Sequence, residues 1–307
     1  MKSSAQVAVV SSAVASADVK PAHRTADYVT LTKPRLNFLV LFTTLGGMYM
    51  GAPDGLPSAI LIHAVVGTAL VAGGAAALNQ VLERETDGLM RRTQARPIPG
   101  GRLRVWDGTM FGVLLSTAGI IELASMVNLI SAAVAAATLV SYVLVYTPLK
   151  KRTSLATLIG AVPGALPPVI GWAAATGTIS PPAFVLFGIV FLWQMPHFLA
   201  IAWLYREDYA RAGIPLLPVV EPDGRRTGQQ ALLYAAALWP VSLLPALVGI
   251  AGTPYSVVAT VLGFGLIALS ALFARDRTTK TARRLFLYSI TYLPLLWGAL
   301  VIDRLWL

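Results

Sequence analysis

Apolar residues in this chain come in runs of about twenty, and the polar and charged residues gather in the short gaps between them. The runs cover roughly 36–54, 57–82, 107–126, 128–147, 155–175, 181–203, 229–250, 254–275 and 283–303. A helix needs roughly 20 such residues to cross the hydrocarbon core of a bilayer. Strands would show short alternating segments instead; these runs are unbroken and rich in Leu, Ala and Val, which predicts helices. The third and fourth abut at Met126-Val127-Asn128, where the break is least marked. The expectation is an all-α integral membrane protein, with nine transmembrane helices in one bundle over residues 27–307. Residues 1–26 are expected to form a disordered cytoplasmic tail. Its stretch Val7-Ala8-Val9-Val10 faintly resembles a signal peptide, but is short and diluted with serine.

Composition agrees and narrows the class. Of 307 residues, 56% are hydrophobic and only 12% charged, with a mean hydropathy of +0.69. Soluble domains carry about a quarter charged residues. That excludes a soluble enzyme, a secreted domain and a disordered protein. With no cysteine, disulfides, thiolate metal sites and cysteine nucleophiles are excluded too. The net charge of +10 is a matter of topology. All but Arg304 of the 24 Lys and Arg fall in the N-terminal arm or in alternate gaps between runs. By the positive-inside rule these gaps are cytoplasmic, the N-terminus is cytoplasmic and the C-terminus lies outside. Nucleic acid is therefore not an expected partner; the lipid bilayer is.

The chemistry gathers in the basic gaps. Asn79, Glu83 and Asp87 close the second run at spacing i, i+4, i+8, which places them on one helical face. Two carboxylates and an amide oxygen there suit Mg²⁺ held together with substrate phosphates. Glu85 points elsewhere. A second acidic pair, Glu207-Asp208, closes the sixth run, so the two ends are expected to face each other across one bundle and hold metal on a diphosphate. The cations around them fit the same ligand: Arg91, Arg92 and Arg96 after the first cluster, and Lys150, Lys151 and Arg152 after the fourth run. Basic residues belong in these loops for topology alone. Tyr146, one helical turn before Lys150, singles that lysine out, whereas Arg92 and Arg104 are readable as topology only. His197, in Trp193-Gln194-Met195-Pro196-His197-Phe198, lies inside a membrane helix, where an ionisable group is costly and usually functional. His63 reads as an ordinary satisfied polar residue, and Glu122 has no basic partner in reach by sequence.

The stretch from Asn79 to Asp87, continuing through Arg91-Arg92-Thr93-Gln94-Ala95-Arg96-Pro97, resembles the first aspartate-rich motif of the UbiA superfamily of intramembrane prenyltransferases. Three further stretches are similar to its heme-farnesylating branch: Tyr146 to Thr153, Gly160 to Trp172, and Trp193 to Pro218. The last is the most specific, because quinone-prenylating relatives have a longer second acidic motif and lack Pro196-His197-Phe198. The resemblance implies a nine-helix bundle around a central cavity and Mg²⁺ dependence, with farnesyl diphosphate and heme B as substrates. It implies transfer of the farnesyl group to a heme vinyl group with addition of water, giving heme O and diphosphate through an allylic cation. Asn79, Glu83, Asp87 and Asp208, with Glu207 beside it, then serve metal and diphosphate, while Arg91, Tyr146, Lys150 and Lys151 sit by the diphosphate. His197 is expected to hold or orient heme. The chain departs from the commoner pattern in carrying Glu83 where an aspartate is usual. The absence of an Arg-rich, Ser-rich transit segment favours a bacterial inner membrane, the positive-inside rule puts the site on its cytoplasmic side, and the resemblance implies a partner such as an oxidase-assembly protein or heme A synthase. The rival readings are a relative acting on a quinone precursor or chlorin, and a secondary transporter. A transporter needs ionisable groups near the midplane, and only Glu122 lies deep.

Overall fold

The computed structural model describes residues 24–52 and 54–305. Among them there is no strand. A short helix α1 (Arg24–Leu31) precedes α2 (Pro34–Gly51) and α3 (Ser58–Leu82). Helix α4 (Arg84–Leu89) follows α3 directly, and a loop leads to α5 (Val105–Met126). Next come α6 (Leu129–Val140), a π-helical segment Ser141–Tyr146 and α7 (Thr147–Leu149), which run on as one rod. After α8 (Ala156–Ala165) and α9 (Pro167–Thr176) stands α10 (Pro181–Leu204), followed by the short α11 (Arg206–Arg211) and α12 (Leu217–Val220). Helices α13 (Arg225–Leu247), α14 (Thr253–Asp276) and α15 (Thr279–Arg304) complete the bundle.

Eight helical rods are long and apolar enough to cross a membrane, where nine were expected. The difference is α2: it has 18 residues, and Arg35 and Asn37 near its start dilute its apolar run. It nevertheless lies inside the bundle. A side chain at Gly171 of α9 would run into the Thr44 carbonyl of α2, so the two backbones touch. The same device joins α3 to α5, where a Cβ at Gly119 would come within 2.6 Å of the Gly67 carbonyl oxygen. In lipid, where apolar burial drives little helix association, such close backbone contact holds helices together. The expected tail, residues 1–26, lies outside the described residues except for its last three, which open α1.

Two breaks have clear causes. Asn128 separates α5 from α6: its Oδ1 accepts from the Ser131 amide at 2.8 Å, and its Nδ2 donates to the Ala173 carbonyl of α9 at 2.9 Å. A polar cap thus divides an apolar stretch of some forty residues into two spans. The fifth run is two helices hinged at Leu166, because Pro167 and Pro168 bring no amide hydrogen to continue α8. Outward faces are apolar, with Phe38, Leu129 and Leu247 each more than 70% exposed, as a lipid-embedded surface requires. The antiparallel course of the long helices sends loops 83–104, 150–155 and 205–224 to one end, together with the α1–α2 link.

Candidate active site

Helix α3 ends one residue before Glu83, yet the acidic face does not break there. The Glu83 amide donates to the Asn79 carbonyl at 2.9 Å and the Asp87 amide to the Glu83 carbonyl at 2.8 Å. This i→i+4 ladder runs through the joint into α4 and keeps Asn79, Glu83 and Asp87 in register. All three are buried. Each meets one cation from a different segment. Lys33, from the α1–α2 link, donates to Asn79 Oδ1 at 2.8 Å. Lys150, just past α7, pairs with Glu83 Oε1 at 2.9 Å, and Arg96, from the loop after α4, pairs with Asp87 Oδ2 at 2.5 Å.

The loop carrying Arg96 is tied down by Thr93, whose hydroxyl donates to the Asp87 carbonyl at 2.9 Å, and by an Arg102–Asp27 pair at 2.9 Å. Lys150 is aimed by the π-helical segment before it. The wider turn lets the Thr147 hydroxyl reach the Tyr142 carbonyl at 2.8 Å while also receiving a bond from Asn79 Nδ2 at 3.1 Å. Within that segment Tyr142 and Tyr146 stack with ring centres 5.5 Å apart, and the Tyr146 ring packs against Gly160 of α8. Such π-turns are rare and collect at functional sites.

Charge and burial pull these groups in opposite directions. Burial raises the Glu83 carboxyl, but Lys150 and then Lys33 outweigh it and hold its pKa below the ordinary value. Burial, reinforced by Arg96, lowers the Lys33 ammonium to about 7 against the pull of Glu83. Burial also works against Lys150, but its neighbours Tyr146 and Glu83 keep its pKa above that of an ordinary lysine.

The second acidic pair arrives at the same end. Met90, beside the first cluster, packs with Tyr209, Ala212 and Ile214 in one small apolar cluster, and Arg92 stacks over the Tyr205 ring at 5.3 Å. Asp208 is buried and pairs with Arg211 one turn later in α11, whereas Glu207 is exposed. Arg91 is exposed on the loop, and Lys151 is exposed near the α3 terminus, with its ammonium 3.5 Å from the Leu82 carbonyl. His197 sits deeper, on α10. Its Nδ1 meets the Ser289 hydroxyl of α15 at 2.8 Å, and its ring is flanked by Trp193 and Phe286 at 5.1 and 5.2 Å.

Lys33 and Thr147 were not legible as site residues: one reads as topology, the other as an ordinary helix threonine. The Lys33-Pro34 step was the one available signal. Glu122, unexplained in the sequence, meets His63 Nδ1 at 2.6 Å across 59 residues of chain.

The donor set fits a hard divalent cation. Asp87 Oδ1 is buried without a hydrogen-bond partner, an arrangement that costs free energy unless something occupies it. Among the described residues no three His, Cys, Asp or Glu side chains gather closely enough to hold a metal by themselves. A metal here needs the Asn79 amide oxygen and oxygens from a bound phosphate, the mixed shell that Mg²⁺ prefers.

Known proteins resemble this chain in sequence and in fold. The family model for the UbiA prenyltransferase family matches residues 40–293. A protoheme IX farnesyltransferase of Solibacter usitatus is 49% identical over 287 residues, covering 91% of this chain and 98% of that protein. In fold, the chain is similar to a solved structure of digeranylgeranylglyceryl phosphate synthase, with a TM-score of 0.79 at 16% identity, over 92% of this chain and 99% of the other. A UbiA homolog from Archaeoglobus fulgidus bound to GPP and Mg2+ has a TM-score of 0.59 at 16% identity, over 89% and 99% of the two chains.

Proposed function

The chain belongs to the UbiA prenyltransferase family, among its protoheme IX farnesyltransferases, and from that premise we propose how its polar end carries out the transfer. The enzyme is a membrane-embedded prenyltransferase that farnesylates heme. In the proposed reaction the allylic C–O bond of farnesyl diphosphate breaks and diphosphate leaves with the electron pair. A heme vinyl carbon bonds to the farnesyl carbon. Water then adds to the cation left beside the porphyrin and loses a proton, giving the hydroxyethylfarnesyl group of heme O.

The observation that carries this assignment is the row Asn79, Glu83 and Asp87, buried, in register, and each facing a cation. Their oxygens are proposed as the protein's share of a Mg²⁺–diphosphate site, completed from the second motif by Asp208 and Glu207. Magnesium, when bound, supplies positive charge toward the departing diphosphate. Lys150 and Tyr146, with Arg91 and Lys151 from the surrounding loops, donate to the diphosphate oxygens. The apolar bundle beneath holds the farnesyl chain and keeps water from the cation until the vinyl group has reacted. His197, fixed through Nδ1 by Ser289, is assigned to heme, with Nε2 left for that contact. The burial of α2 against α9 supports counting it as a ninth crossing; with the positive-inside rule, the proposed orientation has the acidic end in the bacterial cytoplasm and the C-terminus outside. The product has to be passed on, so an oxidase-assembly protein or heme A synthase is the proposed partner.

The test is mass spectrometry of porphyrins after incubating purified enzyme with heme B, farnesyl diphosphate and Mg²⁺, with and without EDTA. A Mg²⁺-dependent product heavier by one farnesyl group and one water is expected. Unchanged heme, with diphosphate released only when a hydroxybenzoate or naphthoate is supplied, would assign the site a different acceptor. For His197, His197→Ala is expected to weaken heme binding; unaltered heme affinity sinks that role.

A further inference from the structure

Lys33 is the one cation of the site held in a strained backbone conformation. It follows α1 with φ 48° and ψ 64°, the left-handed region, where glycine is the usual occupant of a helix-ending turn. A side chain with a Cβ is disfavoured there, and residues kept in such a conformation against their preference cluster at functional sites. Among the described residues the other non-glycine position with positive φ is Arg277, an exposed residue ending α14.

The link that carries Lys33 is built not to move. Gln80 Nε2 donates to the Leu31 carbonyl at 2.8 Å, Asn37 Nδ2 to the Thr32 carbonyl at 2.6 Å, and Leu31 is fully buried in a cluster with Ala77 and Val81 of α3. Pro34 then disfavours the right-handed helical conformation at residue 33. Two buried amides and a proline thus lock a turn that glycine would form more easily. What lysine adds is an ammonium 2.8 Å from Asn79 Oδ1. That bond uses one of three N–H donors, and Lys33 lies on the same polar face as Lys150 and Arg96.

We propose that Lys33 is a substrate-binding residue: it steadies Asn79 before substrate arrives and donates to the diphosphate of the prenyl donor once it is bound. This rests on the reading of the polar end given above. A purely structural lysine would be replaceable at no loss by the residue its backbone prefers, which makes Lys33→Gly the informative variant.

The experiment is calorimetric binding of inorganic pyrophosphate with Mg²⁺ to the full-length enzyme in nanodiscs, for wild type, Lys33→Gly, Lys33→Met and Lys33→Arg, with melting temperatures for each. Lys33→Gly is expected to melt at or above the wild-type temperature while binding pyrophosphate about tenfold more weakly, the loss of one charge-assisted contact. The KM for farnesyl diphosphate should rise by a similar factor with the KM for heme unchanged, and Lys33→Arg should recover most of the affinity. Wild-type affinity in Lys33→Gly overturns the proposal. If Lys33→Gly does not fold, equal pyrophosphate affinity in Lys33→Met and Lys33→Arg overturns it instead. Wild type that binds no pyrophosphate with Mg²⁺ removes the diphosphate site itself, and this inference with it.

Discussion

Asp87 concentrates the energetics of the site in one side chain. It is fully buried, its Oδ2 is paired with Arg96, and its Oδ1 has no protein partner. Removing one member of a buried pair leaves the other charge uncompensated, at a cost of about 3 kcal/mol or more. Arg96→Met is therefore expected to lower the melting temperature sharply, and adding Mg²⁺ with pyrophosphate should restore part of it, because in the proposed site the ligand's metal neutralises Asp87. A melting curve with and without the ligand checks this. Asp87→Asn keeps the shape but removes the charge, and a loss of about a hundredfold or more in turnover is expected, in line with removal of a group that stabilises the departing charge. Full activity in that variant would take the metal away from Asp87. Of these residues the acids were readable in the sequence, because i, i+4, i+8 spacing has one geometric meaning. Which cation meets which acid was not: Lys33, Arg96 and Lys150 lie 46, 9 and 67 residues from their partners, and every basic loop offers several cations.

At the scale of elements, two features decide where the side chains point. The π-helical segment Ser141–Tyr146 holds one more residue per turn than the helices around it and so sets the direction of Thr147 and Lys150. Helices α3 and α5 touch through Gly67 and Gly119. Gly119→Val is expected to push them apart at about 2 kcal/mol or more, measurable as a lower melting temperature and weaker substrate binding. Span limits were legible to within a few residues because hydropathy and helix length are coupled in a bilayer. The hinge at Leu166 and the π-turn were not, since both leave an apolar run uninterrupted.

For the molecule as a whole, the ligand should act as a clamp between segments far apart in sequence. The α1–α2 link, the α3–α4 joint, the α7 terminus and the loop after α4 all place charged or amide groups along one helical face. Mg²⁺ with pyrophosphate at about a hundred times its Kd should add about 2.7 kcal/mol of apparent stability, and EDTA should abolish the gain. A gain from pyrophosphate alone would assign binding to the cations without metal. The hydropathy runs, the charge asymmetry and the spacing of Asn79, Glu83 and Asp87 are local properties, so the amino-acid order alone determined the class of protein, nearly all its spans and the acidic half of its candidate site. Pairing Lys33 with Asn79, joining His63 to Glu122 and packing α2 on α9 against the dilution of its apolar run all depend on which helices become neighbours. Helix neighbourhood in lipid follows from close backbone fit at small residues, and one-dimensional patterning does not encode which glycine meets which carbonyl.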